Sequence, residues 1–139
     1  MTTHPRPTLD ETLMRMARVL AMRATCSRLS VGALVARDTR VISSGYNGVP
    51  SGLPHCQHTP NETSCTLAVH AEANAIAFAA RAGCATEGAT LYCTHSPCAQ
   101  CSKLIINAGI ERVVYATDYR DSSPARLLAA GVRVDQLVT

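Results

Sequence analysis

Two short motifs, well separated in the chain, have to be folded onto one point: His70-Ala71-Glu72 and Pro97-Cys98-Ala99-Gln100-Cys101. One imidazole and two sulfurs at C-x-x-C spacing can close three corners of a tetrahedral zinc site and leave the fourth for water. Glu72 stands two residues beyond the histidine, where its carboxylate can move protons on and off that water without binding the metal. Alone, H-A-E carries little information, and C-x-x-C would equally serve a redox pair or half of a structural zinc site. In this order, with a proline directly before the first cysteine, they point to a hydrolytic zinc centre. A purely structural zinc would demand a fourth protein ligand. It would also leave Glu72 without a task on an otherwise apolar segment, where a carboxylate is costly to bury.

The chain of 139 residues has the length of one domain, which we expect over 8–139 behind a loose arm at 1–7. It is 47% hydrophobic, with one Phe and no Trp, so its core must be mainly aliphatic. A net charge of +3 with a single lysine, Lys103, argues against a nucleic-acid-binding surface. The start has no apolar signal core, and no apolar run reaches membrane-spanning length, so we expect a cytoplasmic protein without a membrane segment. Its seven cysteines then read as metal ligands and small buried hydrophobes, not as disulfides.

Thr8 and Glu11 form a T-x-x-E capping box, and Leu9, Leu13, Met16, Leu20 and Ala24 recur at helical spacing, predicting a helix over 9–26 with one apolar face. The β-rich runs 31–36 and 40–46 flank Arg37-Asp38-Thr39 as a hairpin. An irregular stretch rich in Gly and Pro follows to about residue 66. Helices are predicted over 68–82, 98–108 and 123–130, each followed by glycine, and strands over 89–94, 112–117 and 132–138. Strands alternating with helices after an initial hairpin imply an α/β fold with a mixed sheet covered by helices. Both ligand motifs then fall at helix starts, whose unpaired N–H groups favour thiolate over thiol at Cys98 and Cys101.

H-x-E followed by P-C-x-x-C is the order found in zinc-dependent nucleobase deaminases. The chain resembles the deoxycytidylate (dCMP) deaminases of the cytidine deaminase superfamily. The resemblance is carried by Val31-Gly32-Ala33, Gly45-Tyr46-Asn47-Gly48, Pro50-Ser51-Gly52, His70 to Ile76, Pro97 to Cys101 and Ile105 to Ile110, in order over nearly the whole chain. It implies a three-layer sandwich around a five-stranded mixed sheet, with the active site where two helices meet the sheet's edge. It implies Zn2+ as cofactor, hydrolysis of dCMP to dUMP and ammonia for thymidylate synthesis, a homo-oligomer (hexamer or dimer), and control by dCTP and dTTP. By the same resemblance Asn47 contacts the deoxyribose. Asn74 and Tyr119 face the nucleotide or merely brace turns, and Arg28 and Ser30 are candidates for the phosphate, with Arg120 as another.

Three cysteines lie outside the catalytic motif. A second, structural zinc of the kind several such enzymes carry would take Cys26, Cys56 and Cys65 with one nearby histidine, His58 ahead of His55. His95, beside the zinc motif, is either a pocket residue or a loop residue, while Cys84 and Cys93 read as small buried hydrophobes. Other bases stay open as substrates: free cytidine or deoxycytidine, guanine, or tRNA adenosine. For the last, Ser96 stands where a glutamate is usual. A non-catalytic nucleotide sensor on the same fold would have no use for the proton-carrying Glu72.

Overall fold

The computed structural model describes residues 5–59, 62, 65–119 and 124–138. Helix α1 (Leu9–Ala21) is followed by the hairpin β1 (Gly32–Arg37) and β2 (Arg40–Tyr46). Then come α2 (Ala71–Ala82), β3 (Thr90–His95), α3 (Ala99–Asn107), β4 (Arg112–Thr117), α4 (Pro124–Ala129) and β5 (Arg133–Gln136). The strands form one sheet in the order β2-β1-β3-β4-β5. β1 runs antiparallel to both β2 and β3, whereas β3, β4 and β5 run parallel.

Alternation along the central strands builds the two sides of the sandwich. Leu34, Tyr92 and Val114 point to one face and pack against Leu13, Met14 and Ala17 of α1. Ala33, Val35, Leu91, Cys93 and Val113 point to the other and meet Ala71 and Ala75 of α2, Ile105 of α3 and Leu127 of α4. The result is the expected α/β sandwich with a five-stranded mixed sheet at its centre.

The apolar face of α1 differs from the sequence expectation. Its buried residues are Leu13, Met14, Ala17 and Ala21, and Leu9 and Met16 are exposed. The reason is at Gly32: a Cβ there would collide with the Ala17 carbonyl and lie 2.7 Å from the Ala21 amide. Backbone this close admits only small side chains on α1, so the buried stripe is set by the two alanines and not by the largest residues. The helix also stops at Ala21, short of the predicted Cys26. The amides of Arg23 and Ala24 bond back three residues, to Leu20 and Ala21, and the helix winds out in tight turns. No Gly or Pro marks that stop.

The predicted start of α2 at residue 68 is three residues early, because Val69 pairs with Gly48 across an isolated bridge before the helix begins. The last strand is shorter than the predicted 132–138. Ser123, the predicted start of α4, lies outside the described residues, as does Arg120. The capping box forms as read: Thr8 Oγ1 accepts the Glu11 amide at 3.1 Å. Among the described residues no helix is long and apolar enough to cross a membrane.

One close contact places the ligand-bearing helix. Gly45 of β2 sits under the first turns of α2, where a Cβ would lie 2.6 Å from the Ala71 carbonyl and 2.7 Å from the Ala75 amide. The missing side chain lets α2 lie directly on the strand.

Candidate active site

His70 is the N-cap of α2, with extended backbone (φ −67°, ψ 153°), and its imidazole makes no capping bond. The ring is therefore free to reach across to α3, where Nδ1 lies 3.4 Å from both Cys98 Sγ and Cys101 Sγ. Cys98 is the N-cap of α3 and its sulfur accepts the Cys101 amide at 3.5 Å. Two helix starts thus converge, and the nitrogen and both sulfurs all lie within 4.8 Å of one another.

The electrostatics suit a cation. Contacts with Cys101 and His70 hold the Cys98 thiol down to about 3, while the Cys98 contact and burial push Cys101 up. The Cys98 sulfur also raises the pKa of the neighbouring His70 imidazole. One ring nitrogen with two sulfurs is a donor set that fits zinc and leaves a corner open.

Glu72 lies on the second residue of α2 and is only 4% exposed. Burial pushes its carboxyl above the ordinary range, opposed in part by hydrogen bonds and by His70. The buried Cys93 thiol of β3 contacts it from the sheet. A buried carboxyl with a raised pKa beside a metal-binding triad is placed to take and give a proton.

A pocket opens beside His70 and Glu72, lined also by Arg28, Asn47, His95 and Tyr119. Asn47 is tied into its wall: Oδ1 accepts the Val31 amide at 2.8 Å and Nδ2 donates to the Leu29 carbonyl at 2.6 Å. Its second Nδ2 hydrogen has no partner among those contacts. Arg28 Nη2 donates to the Tyr119 hydroxyl at 3.1 Å, and its Nε is buried without a partner among the described residues. The Tyr119 amide donates to Ser96 Oγ at 2.8 Å.

Two candidates stand apart from this pocket. Asn74 donates from Nδ2 to the Tyr46 carbonyl at 2.9 Å and braces the entry of α2 from the other side. Ser30 is exposed and is not among the pocket-lining residues. His95 does line the pocket, with Nδ1 2.9 Å from Thr94 Oγ1, and burial lowers its pKa.

The second cysteine set also converges. Cys26, Cys56, His58 and Cys65 bring their ligand atoms within 4.8 Å of one another, and Cys26 Sγ lies 3.3 Å from His58 Nε2. His58 Nδ1 faces Glu62 Oε2 at 2.6 Å, which raises the imidazole pKa to about 9. His55 is exposed and outside the cluster. The sequence reading missed Glu62, although its i+4 spacing from His58 was the available signal. Burial raises Cys56 to about 11. Cys65 lies lower, at about 7, because the Ala68 and Leu67 amides outweigh its burial. Three sulfurs and a nitrogen make a closed structural zinc set.

Comparison with known proteins agrees with this geometry. The family described as "Cytidine and deoxycytidylate deaminase zinc-binding region" matches residues 7–117. The chain is 44% identical over 133 residues to ComE operon protein 2 of Bacillus subtilis (strain 168), covering 92% of this chain and 70% of that protein. It is 43% identical over 124 residues to deoxycytidylate deaminase of Mycobacterium phage D29, covering 79% of this chain and 95% of that one. The crystal structure of dCMP deaminase from cyanophage S-TIM5 in complex with dCMP and dUMP superposes with a TM-score of 0.89. It is 34% identical, and the match covers 96% of this chain and all of that one. By sequence, fold and the pattern of its ligand motifs, this chain belongs to the cytidine and deoxycytidylate deaminase family.

Proposed function

We infer that this protein is a zinc-dependent dCMP deaminase that hydrolyses dCMP to dUMP and ammonia. The observation that carries the reading is the buried carboxyl of Glu72 beside the His70, Cys98 and Cys101 donors, at a pocket that also contains the Arg28 guanidinium. The fold that carries this arrangement is similar, over 96% of this chain, to a structure that holds dCMP and dUMP.

His70, Cys98 and Cys101 would hold the catalytic zinc, which supplies the Lewis acidity that makes water nucleophilic near neutral pH. Glu72 is assigned as the proton carrier. Its carboxylate takes a proton from the attacking water and delivers it to the pyrimidine N3 as the new oxygen bond forms at C4. It then takes the remaining proton from the new C4 hydroxyl and gives it to the departing 4-amino group, so that C4=O forms, the C4–N bond breaks and ammonia leaves. Burial pushes the Glu72 carboxyl pKa up, the direction that suits a group that must donate as well as accept. Asn47, with an unused Nδ2 hydrogen, is assigned to the sugar. Arg28 is assigned to the phosphate, which would supply a partner for the buried Nε that has none among the described residues. Tyr119 holds that guanidinium from the side.

A structural zinc at Cys26, Cys56, His58 and Cys65 belongs to the same proposal. So do a single domain over 8–139, a cytoplasmic setting consistent with the absence of any disulfide, assembly as a homo-oligomer, and control by dCTP and dTTP. Assembly is supported by apolar side chains left exposed on α1 and β2, among them Met16, Val19 and Val41. The test is ammonia release from dCMP, deoxycytidine, dCTP and guanine, with and without dCTP as effector. Turnover strongly favouring dCMP supports the reading; turnover of guanine but not dCMP overturns it.

A further inference from the structure

The connection between α1 and β1 spans residues 22–31 without helix or strand, yet it supplies Arg28, Leu29 and Val31 to the pocket. Asn47 fixes both of its ends. The Thr25 amide donates to the Asn47 carbonyl at 3.1 Å, and the Asn47 side chain holds Leu29 and Val31. Between these ties lie Cys26, 5% exposed, and Arg28. Cys26 is the inward anchor of that stretch, and what it is anchored to is the cluster with Cys56, His58 and Cys65. Among the described residues Arg28 itself reaches the Tyr119 hydroxyl.

The other ligands come from the long loop that ends at the active site. The Ala68 amide donates to Cys65 Sγ at 3.3 Å, the neighbouring Val69 pairs with Gly48, and the next residue is His70. One cluster thus joins the segment carrying Arg28 to the segment leading into α2. The four donor atoms at this joint come from both segments and lie within 4.8 Å of one another. A shared cation would fix all four at once.

We propose that the Cys26–Cys56–His58–Cys65 centre is a positioning device for nucleotide-phosphate recognition, setting Arg28 through Cys26. It would then govern affinity for the 5′-phosphate and leave the chemistry at Glu72 alone. Glu62 belongs to this device, because its carboxylate orients His58 through Nδ1 and leaves Nε2 for the metal.

The inference rests on the dCMP reading, so wild-type turnover of dCMP is measured first; its absence overturns both. The test compares the wild type with Cys65→Ser, and with Glu62→Gln should the first variant fail to fold. Three quantities are read: zinc per chain, dUMP affinity by calorimetry, and kcat and KM for dCMP and for deoxycytidine, which lacks the phosphate. In Cys65→Ser we expect zinc to fall from about two to about one per chain. We also expect dUMP affinity to fall, and the dCMP KM to rise, about tenfold or more, with kcat and all deoxycytidine constants nearly unchanged. In Glu62→Gln, dUMP affinity should fall in step with chelator-released zinc, whose binding weakens about 10–100-fold. Equal losses for dCMP and deoxycytidine, or a one-zinc protein that binds dUMP like the wild type, overturns the inference.

Discussion

Substituting Gly45 by alanine adds one methyl group to the protein at the point where β2 supports the active-site helix. The new Cβ would lie 2.6 Å from the Ala71 carbonyl oxygen, 2.7 Å from the Ala75 amide nitrogen and 2.9 Å from Asn74 Cβ. Two of these are helix backbone, so no side chain can swing aside. Ordinary contact begins near 3.4 Å, and the start of α2 must therefore withdraw by about 0.8 Å. Overpacking of this kind costs about 1–3 kcal/mol in stability. The larger effect falls on the site, because α2 carries His70 and Glu72 while Cys98 and Cys101 ride on α3. Misplacement by about 1 Å costs on the order of 100-fold in rate. We therefore expect Gly45→Ala to lower kcat for dCMP about 10- to 100-fold and to lower the urea midpoint in step with about 1–3 kcal/mol. Catalytic zinc should be retained, because the ligands can follow the ion more easily than Glu72 can follow the substrate. A folded Gly45→Ala protein with wild-type kcat and stability would refute the claim that this contact sets the helix.

Other perturbations separate the parts of the account. Cys98→Ala removes both a ligand and the sulfur that caps α3, so zinc at the catalytic centre and activity should be lost together, read by metal analysis alongside ammonia release. Arg28→Ala should raise the dCMP KM by about 10–100-fold, the loss of roughly 1.5–3 kcal/mol expected of a charged hydrogen bond, and barely change that for deoxycytidine. Asp10→Asn weakens the tie of α1 to the sheet, where Asp10 accepts from Arg112 at 2.7 and 2.9 Å and from Tyr92 at 2.6 Å. At this partial exposure the loss should be about 2 kcal/mol, measured by urea unfolding at pH 7. The Asp10 carboxyl is held below its ordinary 3.8, chiefly by Arg112, so its stabilisation is present above that value and lost as pH falls through the folded-state value. The stability gap between wild type and Asp10→Asn should therefore narrow below about pH 4.

The chemistry was the most legible part of the sequence, because ligand spacing follows from the ion and not from packing. His70, Cys98 and Cys101 could be read as one site since each sits at a helix start that local signals announce: Pro97 before α3, and alanines after His70 in α2. The strand and helix alternation was equally plain. What sequence periodicity could not show was dictated by close contacts between elements. The buried face of α1 is set by Gly32 against Ala17 and Ala21, a three-dimensional fit that larger neighbours such as Met16 obscure. The early end of α1 follows from tight turns and from Cys26 being drawn into a distant cluster. Asn74 looked equally suited to ligand or brace, and only its bond to the Tyr46 carbonyl showed which side of β2 it serves. His58 separated from His55 because Glu62 holds its ring in place.

Glu72→Ala offers the most direct measurement of the central claim, with catalytic zinc content and dCMP turnover determined on one preparation. The account expects wild-type zinc at the His70–Cys98–Cys101 centre and a loss of turnover of at least about 100- to 10,000-fold, the contribution of a positioned acid–base group. A Glu72→Ala protein that keeps its zinc and still releases ammonia from dCMP at the wild-type rate would contradict it.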